Sequence, residues 1–299
     1  MTTDAVTGET TARIHEQGYR RYDGTRLPPN SAIRAVFVHT LRFILGIKRK
    51  ARAKIVPFGV IAVATLPALM FSAALMILPD FARDVAQEIL PGPEIYVGGT
   101  IFLTFIAAAM AGPAALCGDR LHGSLALYLA SPLTRRTYLL GKGLAVFTFL
   151  AAVTVLPSVV YVLGIALAGV QDQSIAAVGL DVVKVLVAGV VLALGYSALS
   201  MAAASLTDRQ GAASGLVVGF AMVTGIVGGV LVLGMGLPNV FRILDFNSTM
   251  TSAAIHVHSA GEEADVLIGA SASVFGAVAW IVGLTALVIW RYERLQVTR

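Results

Sequence analysis

Few residues in this sequence have the types and spacing that chemistry requires. His256-Val257-His258, followed by Glu262, Glu263 and Asp265, offers the nitrogen and oxygen donors that hold a metal ion. Their spacing fits no defined ligand set, so a solvated acidic loop is the expected state of 238–265. Gly141-Lys142-Gly143 comes nearest to a phosphate cradle. It lacks the upstream glycine of Gly-x-x-x-x-Gly-Lys-Ser/Thr, and no strand precedes it. Cys117 is the single cysteine, which excludes an intrachain disulfide and any multi-cysteine metal site; an unpaired, buried thiol is expected. No His-Glu-x-x-His and no nucleophile elbow occur. The sequence thus presents no catalytic residue, no metal set and no cofactor site of its own.

The most informative stretch is 117–142, polar at both ends and apolar in the middle. Asp119 and Arg120 open it. Leu121, Leu125 and Leu129 then recur at i, i+4 and i+8, with Leu127 and Tyr128 beside them, which predicts a short helix with one buried face. Pro132 ends that helix, because the residue before a proline avoids helical backbone. Thr134 is placed to cap the helix that follows.

The elements that must position this stretch are membrane spans. The chain has 299 residues, 57% hydrophobic and 13% charged, against about 25% charged in an ordinary soluble domain. Its apolar residues fall in blocks of about 20, each the length of a helix crossing the hydrocarbon layer. Backbone groups in that layer must bond internally, so the blocks must be helices. Spans are predicted at 55–78, 95–116, 143–169, 181–206, 212–237 and 266–290. The expected fold class is an all-α membrane protein with a six-helix transmembrane bundle. Residues 1–54 are polar and basic and contain no secretory signal, so the block starting near Ile55 is expected to act as an uncleaved anchor.

Lys and Arg are retained on the cytoplasmic side. All of the 22 basic residues except Arg83, Lys184 and Arg242 fall on one side of the predicted spans, while Asp80, Asp84, Glu88, Glu94, Asp172, Asp181 and Asp245 lie on the other. Both termini are therefore expected in the cytoplasm. The net charge of +5 gathers beside the membrane, which argues for a lipid surface and against nucleic acid as its partner. Along 33–52 one helical face carries Ile33, Val36, Phe37, Thr40, Leu41, Phe43, Ile44 and Ile47, and the other Arg34, His39, Arg42, Arg49, Lys50 and Arg52. This predicts an amphipathic helix in the headgroup plane, its apolar face toward the acyl chains, turning into the first span near Pro57. The expected organisation is a cytoplasmic segment at 1–30, the interfacial helix at 31–54, the transmembrane domain at 55–290 and a cytoplasmic tail at 291–299.

Within the predicted spans there are almost no charges; Asp181 and Lys184 sit at the mouth of span four. An ionisable residue inside the membrane is the usual mark of a proton or ion path, so its absence argues against a proton-coupled carrier. Energy must then come from an ATPase on another chain. Gly211, Gly215 and Gly219 form a small-residue row expected to pack within the chain, with packing across a dimer as the alternative. Pro113 and Pro157 are expected to kink their spans. Thr148, Thr154, Ser158, Tyr161, Tyr196, Ser197 and Ser200 either face a translocation path or bond a carbonyl of their own helix.

The 117–142 stretch resembles the loop after span two in permeases of the ABC-2 exporter type. Their pattern is an acid-and-base pair, Gly-Thr-Leu-Glu, paired leucines, a proline, Ser/Thr-Arg, and a lysine that begins the next span. Asp119, Arg120, Gly123, Ser124, Leu125, Leu127, Leu129, Pro132, Thr134, Arg135 and Lys142 match it; Ser124 replaces threonine, and Ala126 stands where the acid usually is. Six spans, an elbow helix and internal termini extend the likeness over about 30–295. The resemblance implies that this loop forms a cytoplasmic coupling helix seated in a groove of an ATPase subunit, with Asp208 and Arg209 in a smaller second contact. It also implies a multi-pass subunit of a bacterial ABC exporter in the plasma membrane, and short outer re-entrant helices in 238–265, which Phe241, Ile243, Leu244 and Phe246 would allow. Its partners would be a second permease chain and ATPase subunits that use ATP and Mg, with no cofactor bound by this chain. An apolar bundle suits an amphipathic or lipid-like cargo. A secondary transporter and a non-transporting scaffold or sensor stay open as alternatives.

Overall fold

The computed structural model describes residues 30–77, 93–130, 133–169, 174–259 and 268–295. The 1–29 segment, Pro132, the end of the tail, and the acids Asp80, Asp84, Glu88, Asp172, Glu262, Glu263 and Asp265 lie outside them. Among the described residues there is no strand. The helices are α1 (Asn30–Ile44), α2 (Arg52–Ile77), α3 (Pro93–Gly99), α4 (Ile101–Leu121), α5 (Leu125–Leu129), α6 (Arg135–Leu167), α7 (Ile175–Leu206), α8 (Gln210–Gly229), α9 (Phe246–Ser259) and α10 (Ala270–Arg294).

Among the described residues, six stretches are long and apolar enough to cross a membrane: Arg52–Ile77, Tyr96–Leu121, Arg135–Leu167, Ile175–Leu206, Gln210–Gly234 and Ala270–Arg294. The chain is a multi-pass membrane protein. The third and fourth spans begin earlier than the apolar pattern predicts. Polarity marks where a helix enters lipid, whereas capping marks where it starts. The Thr134 side chain accepts from Thr137 N–H in a reciprocal capping box, and Ser174 accepts from Ala177 N–H. As a result Lys142 lies two turns inside α6, the helix that Thr134 is expected to cap, and just ahead of the apolar block predicted from 143.

The bundle is built around α6 and α7. α7 packs against α4, α6, α9 and α10, and its half from Gly195 to Ser205 is buried on every face. Pro113 interrupts α4, and neighbouring helices repair the break. Proline has no N–H to give the Ala109 carbonyl, and Ser214 on α8 donates to that oxygen at 2.6 Å. Ser200 on α7 accepts from Gly112 N–H at 2.8 Å and donates to the Ala108 carbonyl. Most of the polar side chains singled out from sequence bond their own helix. Thr148 donates to Leu144, Ser158 to Thr154 and Ser197 to Leu194, while Thr154 also reaches the Gly189 carbonyl on α7 at 2.9 Å.

Three expectations are corrected. Of the two packings open to the Gly211, Gly215 and Gly219 row, within the chain or across a dimer, the first does not occur among the described residues, since a Cβ at any of the three would meet nothing within 4 Å. α8 turns its other face, Ala213, Val217 and Ala221, into the bundle. Residues 238–259 are not the solvated loop expected from their polarity but short helices, as the family resemblance allowed. A short 3-10 turn, Asn239–Leu244, leads into α9, which buries Phe246, Met250, Ala253 and Ala254 against α7 and α10. Finally, the apolar stripe of α1 does not point only at lipid. Val36, Thr40 and Ile44 are buried, and α1 lies on α6 where Gly141 leaves room for Val36. The chain turns into α2 at 45–51, ahead of Pro57, which is buried inside that helix.

Candidate functional site at the α4–α5–α6 junction

The junction is shaped by a broken helix. α4 stops at Leu121, and Gly123 takes φ +67°, the left-handed backbone that ends helices and that glycine adopts without penalty. The i, i+4 register starting at Leu121 therefore does not carry through to Leu125. Leu121 belongs to the end of α4 and is 58% exposed; Leu125 is the buried residue of α5, and Leu127 is 76% exposed. The expected single leucine face is in fact an exposed tip, Leu121 and Leu127, above one anchor, Leu125.

Beneath the tip lies an ion pair. The Lys142 ammonium stands 2.8 Å from Asp119 Oδ2 and donates to the Ala115 carbonyl at 2.9 Å. Tyr138, one turn before Lys142 on α6, donates to the same Asp119 oxygen at 2.7 Å, and Ser124 reaches Asp119 Oδ1 at 3.3 Å. The ammonium also lies 5.6 Å from the ring centroids of both Tyr128 and Tyr138, within cation–π range. Lys142 is only 4% exposed. Such a pair survives burial only when the remaining hydrogen-bonding capacity is met, and here a carbonyl, a phenol and a serine meet it. Burial, with the Asp119 carboxylate beside it, raises the Tyr128 phenol above its ordinary value and keeps it neutral.

Two arginines join the junction to distant spans. Arg120 donates to the carbonyls of Ala204, Ser205 (2.7 Å) and Thr207, the open C-terminal end of α7. Arg135 donates to the Tyr292 and Glu293 carbonyls at 3.0 and 2.6 Å, at the end of α10. A cation is favoured there, because a helix end presents unpaired carbonyls and partial negative charge. Arg136 adds an exposed ion pair with Glu293 at 2.7 Å. Rings continue the contact: Tyr128 to Tyr138 at 5.4 Å and Tyr138 to Tyr292 at 6.2 Å. The Cys117 thiol, buried and unpaired as expected, donates to the Thr207 carbonyl at 3.4 Å. One compact knot thus links α4, α5, α6, α7 and α10.

A family model described as ABC-2 family transporter protein matches residues 17–297. The chain belongs to the ABC-2 transporter family. Curated proteins offer no match to it. In this ABC-2 permease the residues singled out from sequence separate into two groups. Asp119, Ser124, Leu125 and Arg135 face inward and hold the junction together, as does Arg120, whose guanidinium donates to the end of α7, while the exposed Thr134 caps α6. Gly123 and Leu127 lie on the exposed side, and Asp208 and Arg209, also exposed, form the neighbouring turn before α8. Leu129 is half-buried.

Sequence reasoning missed the Lys142–Asp119 pair, Tyr138 and Tyr292. The signal for the first two was present: once Thr134 caps α6, Tyr138 and Lys142 fall four residues apart on one face. The buried pair also corrects the premise that the bundle holds no buried charge. On the opposite side of the bundle, His256 Nδ1 lies 2.8 Å from the Ser252 carbonyl, and among the described residues no His, Cys, Asp and Glu cluster could hold a metal.

Proposed function

We propose that this chain is the membrane-spanning subunit of an ATP-driven exporter in a bacterial plasma membrane, with both termini in the cytoplasm. It works with separate ATPase subunits that bind ATP and Mg, and with a second permease chain. The observation that carries the reading is the α5 junction. A short helix with an exposed apolar tip, Leu121 and Leu127, stands on a buried ion pair and is tied by Arg120 and Arg135 to the ends of two further spans. Force on the tip would reach four spans at once. The exposed Asp208–Arg209 turn adds a second contact beside it. The outward Gly211, Gly215 and Gly219 row suits close approach of the second permease chain. The apolar bundle favours an amphipathic or lipid-like cargo.

The buried Asp119–Lys142 pair is the one observation favouring a proton-coupled carrier. It lies about 10 Å from the start of α6, near one end of a span rather than at its middle, and each charge already has its partner. Purification from native membranes separates the two readings. An ATP-hydrolysing subunit should co-purify in fixed ratio, and Leu127→Asp should abolish that association while the bundle stays folded. Cargo flux driven by an ion gradient without any ATPase would overturn the exporter reading.

A further inference from the structure

Beside the junction, where Arg49 and His39 share a smaller pocket with Asp119 and Lys142, the strongest uncompensated charge lies on α1 and the turn after it. Residues 30–54 contain seven Lys and Arg and not one Asp or Glu. Arg34, Arg42, Lys48 and Arg49, with His39, line a groove of about 800 Å³. The turn creates the groove by folding the chain back on α1. Ile47 N–H bonds the Arg42 carbonyl at 2.8 Å and Arg49 N–H the Gly46 carbonyl at 3.2 Å, which places the Arg49 guanidinium 4.4 Å from the centre of the Phe43 ring. Gly46 takes φ +67° and Lys48 φ +66°, a conformation that residues with a Cβ avoid. Among the described residues no carboxylate pairs with any of the four cations.

We propose that this groove binds the phosphate headgroup of an anionic phospholipid. The wall of the groove is apolar as well as cationic, through Phe43 and Ile47. α2 starts at Arg52, and its first turns expose Ile55, Val56 and Phe58. The cations therefore stand at the level where the first span meets the bilayer surface. A lipid supplies both partners: a phosphate for the arginines and an acyl chain for Phe43, Ile47 and the exposed face of α2. An acidic protein surface supplies only the first. The proposal is independent of how the α5 tip is driven.

The test uses the full-length chain in a neutral detergent, titrated with dioctanoyl-phosphatidylglycerol, dioctanoyl-phosphatidylcholine or inorganic phosphate, with bound species counted by native mass spectrometry. Phosphatidylglycerol should bind at least about tenfold more tightly than phosphatidylcholine. Replacing Arg34, Arg42 and Arg49 together by Gln should weaken it on the order of a hundredfold, at about fivefold per charge. Lys50→Gln with Lys54→Gln, outside the groove, should change it less than about threefold. Equal losses in both variants would mean diffuse attraction and overturn the site. So would inorganic phosphate displacing the lipid at matched concentration, which would assign the groove to free phosphate. Retained lipid binding with loss of a co-purifying ATPase in the triple variant would assign it to a protein surface, again overturning the proposal. Should the triple variant not fold, Arg34→Gln alone, at an exposed position, carries the same test with a fivefold expectation.

Discussion

Two regions of this bundle are held by different chemistry. At the junction, Asp119, Lys142, Tyr138 and Arg120 make directional, charge-assisted contacts that join α4, α6 and α7. Deeper in the bundle, Phe246 packs edge-on against Tyr196, Phe220 and Trp280 with centroids 5.2, 6.1 and 6.0 Å apart, and Phe220 meets Trp280 at 5.4 Å. Polar contacts there involve neutral donors and one carboxylate. Trp280 donates to the Ile243 carbonyl, Tyr196 to Asn247, and the Asp245 side chain caps α9 through Asn247 N–H and Ser248. An aromatic cluster tolerates small sliding, because its attraction depends weakly on angle. An ion pair with every partner specified does not. On the function proposed above, the region that would pass on a push is the one built from fixed directions.

The largest effect expected is at the ion pair. Asp119→Asn or Lys142→Met leaves a buried charge without its partner, which costs about 3–5 kcal/mol. Each single variant should lower the thermal midpoint of the detergent-solubilised chain sharply. The double variant should recover a large part of the loss, since no charge is left stranded. A double variant no better than the sum of the singles would show that the pair is not coupled.

The aromatic region should give way more gently. Phe246→Leu keeps apolar volume but forfeits three ring contacts at about 1 kcal/mol each, a loss of about 2–3 kcal/mol. Because no charge is exposed, this variant should lose stability without changing ATP-dependent transport per folded molecule. Arg120→Lys comes next. A lysine cannot span three carbonyls as the guanidinium fork does, so about 1–2 kcal/mol should be lost. Coupling between ATP hydrolysis and transport should fall further than stability does, a split that a purely structural arginine would not produce.

The same contrast explains what could be read from sequence. The six spans were legible because lipid demands long apolar helices, and that demand is written residue by residue. The 117–142 stretch was legible as special because Asp119, Gly123 and Thr134 punctuate it. What Gly123 does was not. Whether a glycine inside a helical pattern continues the helix or ends it depends on backbone angles that neighbouring packing settles, so the Leu121, Leu125 and Leu129 face was expected where an exposed tip stands. The start of α6 was legible from Thr134, but the burial of Lys142 against Asp119 was not, because hydropathy locates the edge of lipid and not the partner of a charge. The orientation of the glycine row on α8 depends on which face of that helix meets α4, and Ala213, Val217 and Ala221 form a rival row at the same four-residue spacing two positions away. The arginine contacts to the ends of α7 and α10 cross 84 to 158 residues of chain, a separation that no local pattern encodes.

α4 leads into the junction, and its Pro113 break supplies the smallest and most discriminating test. Ser214→Ala removes the hydroxyl that satisfies the Ala109 carbonyl, and interhelical hydrogen bonds of this kind average about 0.6 kcal/mol in membranes. That loss alone is close to the limit of a thermal measurement. Pro113→Ala changes the question, because it restores the N–H that the Ala109 carbonyl would otherwise bond along its own helix. In that background Ser214→Ala should cost almost nothing. The difference between the two backgrounds then isolates the hydroxyl's role in mending the break from its role in packing α8 onto α4. An equal cost in both would mean that Ser214 holds α8 by contact alone. α4 would then carry an unmended carbonyl on its way into the junction.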